Sequence, residues 1–374
     1  MTVAEDFNSI GFLDFFTELE DPRIERHKLY PLNEILLTTL CAKICDAQSW
    51  EDIQDFGEAK IKFLRNYLPY ENGIPSHDTF ARIFSLIDPK QFKTCFIEWM
   101  KGFQLQMSEV ISIDGKTLRG SFDKGDDQKA IHMVSAFALN ARLVLGQEKV
   151  SEKSNEITAI PKLLDTLFIK GGIVTIDAMG CQKSIASKIR EKKADYILSL
   201  KGNHGDLHDD VRTYFGGNQE KKLEEDKEYD KGHGRIEIRK CTVCWDINWL
   251  RQKTEWEDLS CIIEIESTRM VGEKTTIEKR YYLSSLKESS RKISKAIRSH
   301  WAIENSLHWV LDVTFNEDQS RIRKKNGPEN MAIVRHTVLN LLRQNGDEKT
   351  SLKRRRRRAS YSEDYLADIL EKEF

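Results

Sequence analysis

Apolar positions recur at helical spacing through the first hundred residues, and this stretch reads as mostly helical. Pro31-Leu32-Asn33-Glu34 opens an apolar run from Ile35 to Ile44 and suits a proline-assisted helix start. Further helices are predicted over Trp50–Tyr67 and Asp78–Leu86. Ser76 or His77 can cap the latter, and the charge of Asp78 favours a helix N-terminus. Such a cluster fits either a DNA-binding helix-turn-helix or a bundle packed on the next domain.

At Glu109 the period changes. Val110-Ile111-Ser112-Ile113-Asp114 is a short apolar run ending in an acid, and Ile131–Asn140 and Arg142–Val150 read as two strands joined by a tight turn. Asn155–Leu167 has helical spacing, Ile173-Val174-Thr175-Ile176-Asp177 is a second apolar run ending in an acid, Ser184–Ala194 is a basic helix, and Tyr196–Leu200 is another strand. A hairpin feeding a βαβ unit gives a mixed sheet flanked by helices, an α/β fold. Residues 205–230 read as a helix followed by a charged loop from Lys221 to Lys231. Ile236–Trp245, Ser260–Met270 and Thr275–Leu286 then have strand character and suggest an antiparallel insertion. Helix returns over Arg291–Leu311 and Met331–Leu342. The divisions expected are a helical N-terminal domain (1–105, with possible DNA binding), a core in two parts (106–204 and 289–345), a largely β insertion (205–288) and a basic tail (346–374).

A chain of 374 residues can bury a large core. It has no run of eighteen apolar residues, and Met1–Asp6 lacks the apolar stretch of a signal peptide. Seven scattered cysteines suit reduced thiols in a cytoplasm rather than a disulfide framework. The net charge of −1 argues at first against a nucleic-acid partner. It hides a polarity, however: from Lys287 to Arg358 there are eighteen Lys or Arg against eight Asp or Glu. A basic C-terminal third attracts a phosphate backbone, although solvated helix faces carry the same residues.

The chemistry lies in an echo. Ser112-Ile113-Asp114-Gly115 and Thr175-Ile176-Asp177-Ala178 each place a carboxylate at the C-terminal end of an apolar strand, followed by a small residue. If the strands are neighbours, both acids meet at the rim of the sheet, where open α/β sheets place their sites. Two adjacent carboxylates repel, and a hard divalent cation with a preference for oxygen removes that penalty. Either aspartate alone reads as a turn cap, and the repetition shifts the balance towards a metal site. Glu304, among Trp301, Ile303 and Leu307, is the candidate third acid in an unusually apolar setting. Its alternative is a solvent-facing glutamate paired with Lys or Arg. A zinc site is a rival: His300, Glu304 and His308 recur every four residues on one helix face. A fourth ligand is not evident, and Cys241-x-x-Cys244 fits a strand more simply.

At these motifs the sequence resembles the DDE transposases of bacterial insertion sequences, and within them the H-repeat-associated proteins. The resemblance spans nearly the whole chain. It is carried by Asp21-Pro22-Arg23 with Tyr30-Pro31-Leu32, by Pro75–Phe80, by Ile113–Gly120, by Lys153-Ser154-Asn155-Glu156-Ile157, by Thr175–Gly180, by His233–Glu237 and by His300–Asn305. It implies an RNase H-like core with a β-rich insertion before the last acid, a helical N-terminal domain, and Asp114, Asp177 and Glu304 as the catalytic, metal-holding acids. It also implies two Mg²⁺ or Mn²⁺ ions, double-stranded DNA as partner, a homodimer on DNA and a cytoplasmic, nucleoid-associated location. The expected activity is metal-dependent cleavage at transposon ends and strand transfer into target DNA. A catalytically silent DNA-binding descendant and a nuclease without strand transfer are the alternatives. Relatives often place Tyr, Arg and Lys around the last acid, where this chain has Ile297, His300 and Leu311, with Arg298 nearby. Lys116, Arg119, Lys201, Arg298 and His300 are candidate phosphate contacts near the rim, and Arg354, Arg355 and Arg356 are expected to grip backbone from the tail.

Overall fold

The computed structural model describes residues 11–103, 108–122, 129–150, 156–217, 223–232, 234–345 and 349–372. The readings that rest on Met1–Asp6, Lys153–Asn155, Lys221 and His233 lie outside the described residues.

The N-terminal helices are α1 (Gly11–Asp14), α2 (Leu32–Ile44), α3 (Trp50–Ala59), α4 (Ile61–Leu64), α5 (His77–Leu86) and α6 (Pro89–Lys101). The helix expected over Trp50–Tyr67 is divided at Lys60. Its start is a capping box, in which Ser49 and Asp52 satisfy each other's backbone N–H groups. Ser76 takes the cap position of α5 without a side-chain bond to the backbone. Asp88 accepts from the Lys90 N–H at 2.9 Å, and Pro89 opens α6.

Nine strands form one sheet among the described residues, in the order β3-β2-β1-β4-β5-β9-β8-β7-β6. They are β1 (Val110–Thr117), β2 (His132–Ala138), β3 (Leu143–Val150), β4 (Ile173–Ile176), β5 (Asp195–Leu200), β6 (Leu223–Gly232), β7 (Arg235–Cys244), β8 (Cys261–Val271) and β9 (Lys274–Ser284). Strand β1 runs antiparallel to β2 and parallel to β4, and β4 runs parallel to β5. This is the mixed sheet that the alternation of elements predicts, with α7 (Glu156–Thr166) and α8 (Lys183–Glu191) as its crossovers. The insertion strands continue this sheet, since β9 pairs antiparallel with β5 from Ile197↔Ser284 to Leu200↔Tyr281.

One expectation needs correction. The charged loop predicted up to Lys231 follows the shorter helix α9 (Asp206–Gly216) and is in fact strand β6, which pairs with β7 from Leu223↔Cys244 to Gly232↔Arg235. Its charges mark an exposed edge strand, where they discourage pairing with other chains. The basic tail is also structured, as α13 (Leu352–Tyr361) and α14 (Glu363–Leu370), and Ser351 caps the first of them.

After β9 come α10 (Ser290–His300), α11 (Trp309–Thr314) and α12 (Gly327–Gln344). Helix α12 is buried along almost its whole length and packs on α2, α5, α6 and β3. The N-terminal helices therefore form a bundle docked on the core. Polar side chains of α12 complete backbone groups that packing would otherwise strand. Asn340 accepts from the Val144 N–H and donates to the Val144 carbonyl, both at 2.9 Å, closing the outer edge of β3. Asn330 donates to the carbonyls of Phe84 and Ile87 at the end of α5. No described helix is long and apolar enough to cross a membrane.

Candidate active site

The parallel pairing of β1 and β4 ends at Ser112↔Thr175 and Ile113↔Ile176. Asp114 and Asp177 each come one residue after that last pair, so the echo in the sequence is a register match in space. Asp177 lies just past β4, where its Oδ1 accepts from the N–H groups of Met179 (3.1 Å) and Gly180 (3.4 Å). It thus caps its own turn as well as facing the site. Asp114 is not at a strand end as expected, because β1 continues to Thr117 against β2 and Asp114 pairs with Ser135.

Two glycines near the acids, Gly115 and Gly180, have packing reasons. A Cβ on Gly115 would collide with Glu156 Oε1 and with His132 Nε2. One on Gly180 would collide with Ile176 Cγ2. Glu156 bonds His132 Nε2 at 2.5 Å, and His132 Nδ1 meets Thr117 Oγ1 at 2.9 Å. Glu156 is thus a further acid beside Asp114 that helical spacing alone did not single out.

Glu304 follows α10 on a π-turn, Glu304–His308, in which the Trp309 N–H reaches back five residues to the Glu304 carbonyl. Such turns insert one residue into a helix and re-aim side chains, often at functional sites. The apolar setting expected of Glu304 is not found. Ile303 and Leu307 are buried, but Trp301 and Trp309 are about half exposed, and Glu304 itself is exposed. It lines a cavity of about 510 Å³ together with Asp114, Asp177, Thr175, Lys201, His300 and Arg280. The three acids, far apart in sequence, therefore open onto one space.

Electrostatics there favour a cation. Burial pushes the Asp114 carboxyl up to about 7, and the charges of Asp177, Glu156 and Glu304 push in the same direction against the Gly115 N–H. The donor set is carboxylate oxygen throughout, which suits a hard divalent ion. As placed, no three His, Cys, Asp or Glu side chains among the described residues are grouped to hold a metal ion. The zinc alternative gains nothing from the structure. His300 Nδ1 is bonded to Thr175 Oγ1, and Cys241 and Cys244 are buried in β7. Burial pushes the His308 imidazole down to about 4, and its Nδ1 lies 3.7 Å from Asp114 Oδ2.

Residues 105–341 match the model of the transposase DDE domain, and residues 13–100 match that of the DDE transposase-associated region. The chain belongs to the DDE transposase family. The protein named "Putative transposase YncI" of Escherichia coli O157:H7 is 44% identical over 96% of this chain and 94% of its own length. The H repeat-associated YhhI of Escherichia coli K12 is 44% identical over 91% of this chain and 92% of its own. A cryo-EM structure of a piggyBac transposase synaptic complex with hairpin DNA aligns with 97% of this chain and 78% of that one, at 10% identity and a TM-score of 0.44.

In this DDE transposase chain the expected phosphate contacts divide sharply. Lys116 is corrected: it is nearly enclosed, with Asp312 Oδ1 at 2.5 Å and Glu317 Oε2 at 2.7 Å. Arg355 and Arg356 are corrected as well. Arg355 is buried and donates to the carbonyls of Leu342 and Thr350. Arg356 is 1% exposed, donates to the carbonyls of Thr314 and Lys43, and stacks 4.3 Å from the Phe315 ring centroid. Arg298 is exposed but ion-paired with Glu228 (2.8 Å) and Asp230 (3.2 Å). His300 serves Thr175, and burial pushes its imidazole below the ordinary value. Arg119, Lys201 and Arg354 are exposed. Arg280, over the Trp301 ring at 4.9 Å, is a cavity cation that the strand pattern did not reveal.

Proposed function

We propose that the chain cuts DNA at the ends of a mobile element and joins the freed ends to target DNA, with Asp114, Asp177 and Glu304 as its catalytic acids. The observation that supports this most is the convergence of the three carboxylates on one cavity, two of them at matched positions on adjacent parallel strands. Those residues would hold two divalent ions, Mg²⁺ or Mn²⁺. When bound, the ions supply charge neutralisation for the in-line displacement at phosphorus. The chain itself carries Asp114 and Asp177 on the sheet rim and Glu304 on the exposed π-turn after α10, so the acids come from two independent supports. Arg119, Lys201 and Arg354 hold phosphate, and no covalent link between protein and DNA is required. Two ends must be handled in one event, so two copies on DNA form the expected assembly, working in the cytoplasm at the nucleoid.

Family membership alone does not carry activity: the protein named "Inactive transposase YbfQ" is 54% identical over 15% of this chain. The deciding experiment uses purified protein, DNA bearing the flanking element ends, and Mg²⁺. Asp114→Ala, Asp177→Ala and Glu304→Ala should each lower end cleavage at least about 1,000-fold, since metal-held charge stabilisation is worth several kcal/mol and 1.36 kcal/mol is tenfold. Unchanged cleavage by one of them removes that residue from the site. Cleavage without joining would identify a nuclease instead.

A further inference from the structure

Ser112 and Thr175 stand first in the two echoing triplets, and the chemistry of the acids leaves them unexplained. They are register partners in the parallel β1–β4 pairing, surrounded along their strands by Ile111, Ile113, Val174 and Ile176. Hydroxyls in so apolar a place are costly unless paired. Ser112 Oγ lies 3.1 Å from Thr175 Oγ1, and Thr175 Oγ1 lies 3.0 Å from His300 Nδ1. The pair therefore does not close on itself: it continues to the last residue of α10, four positions before Glu304. One chain of hydrogen bonds runs from the strand of Asp114, through the strand of Asp177, to the helix that leads into Glu304.

That last link matters because of the π-turn. An extra residue at Glu304–His308 offsets the regular ladder of the helix, so the aim of Glu304 depends on where that turn begins. Pinning α10 at His300 sets where the turn begins. We propose that Ser112, Thr175 and His300 are positioning residues that lock the Glu304 segment against the two aspartate strands and so set the spacing of the metal-holding carboxylates. This rests on the reading of the three acids given above, and it moves His300 from a phosphate contact to a structural partner of the site.

The test measures Mn²⁺ binding to the metal-free full chain by electron paramagnetic resonance, without DNA, alongside kcat and KM for end cleavage. Thr175→Val removes the hydroxyl at constant shape, and His300→Ala removes the ring. Each should weaken Mn²⁺ binding about 10–100-fold, as loss of an outer partner does at other metal sites, and lower kcat while KM for DNA stays put. Thr175→Ser and His300→Asn keep a hydrogen-bonding group and should stay within about threefold of the parent. The double variant Thr175→Val/His300→Ala should be no worse than the poorer single, because both break one chain. If Thr175→Val is poorly folded, the comparison of His300→Ala with His300→Asn at equal near-ultraviolet circular dichroism decides the matter. Parental Mn²⁺ binding in Thr175→Val, or a loss of metal-free DNA binding in His300→Ala with Mn²⁺ binding intact, overturns the inference. These results are separable from failure of the catalytic reading, which would show as cleavage surviving in Asp114→Ala.

Discussion

Asp114 carries its charge under protest, and this has a consequence for pH. Its carboxyl is pushed up to about 7 in the folded, metal-free chain, first by burial and then by the charges of Asp177, Glu156 and Glu304, against 3.8 ordinarily. A group that holds its proton more tightly when folded stabilises the fold fully below its unfolded value and loses that contribution as pH rises through the folded one. The window here runs from about 4 to about 7. Asp114→Asn cannot ionise. In EDTA it should match the parent near pH 4 and exceed it increasingly up to pH 8, by on the order of 2–4 kcal/mol at about 1.36 kcal/mol per unit. Thermal melts of both proteins across that range, with and without Mn²⁺, check the prediction. Added Mn²⁺ should stabilise the parent alone, and a constant gap between the two proteins from pH 4 to 8 would refute the assignment.

At the scale of elements, the run Arg354–Arg358 shows how composition misleads. As a helix it sends Arg355 and Arg356 inward and leaves Arg354, Arg357 and Arg358 exposed. Arg356 knits three segments by bonding the end of α2 and the end of α11 and by stacking on Phe315. Arg356→Ala should cost about 2–4 kcal/mol, the size expected when charge-assisted bonds to buried carbonyls are lost. Arg354→Ala should stay within about 0.5 kcal/mol. Urea titrations of the two decide it, and equal midpoints would return the whole run to the surface. The same contrast explains what the sequence could reveal. The strands of the core and the matching of Asp114 with Asp177 were legible because apolar runs ending in acids encode register directly. Strand β6 was hidden because an edge strand with charge on both faces lacks the alternation that betrays a buried one. The π-turn left no mark, since an inserted residue changes which side chains share a face but not the residues themselves. The partners of Lys116, Asp312 and Glu317, lie about two hundred positions away, so spacing along the chain could not tell a phosphate contact from a buried ion pair.

For the whole molecule the question is how a chain of net charge −1 would hold DNA. The answer proposed is segregation, with internal pairing deciding which cations count. Lys116, Arg335 and Arg356 are consumed by the interior, and Arg298 by Glu228 and Asp230. Arg119, Lys201 and Arg354 are exposed, although Arg119 still has Asp318 Oδ2 3.5 Å away. Each phosphate that a cation neutralises releases counterions, and the slope of log affinity against log salt falls by about 0.9 per contact on duplex DNA. Replacing Lys201 or Arg354 with Ala should therefore flatten the slope by about one unit each, uniformly across sequences. Arg119→Ala should do less, because Asp318 already offsets part of its charge. Lys116→Met, matched in length and buried, should leave the slope alone and act on stability instead. Fluorescence anisotropy with labelled duplex over a range of salt concentrations, in the absence of divalent metal, measures all four. If Lys116→Met flattens the slope as much as Lys201→Ala does, the lysine leaves its carboxylates to meet DNA, and the division between interior and interface cations drawn from the fold does not hold in the complex.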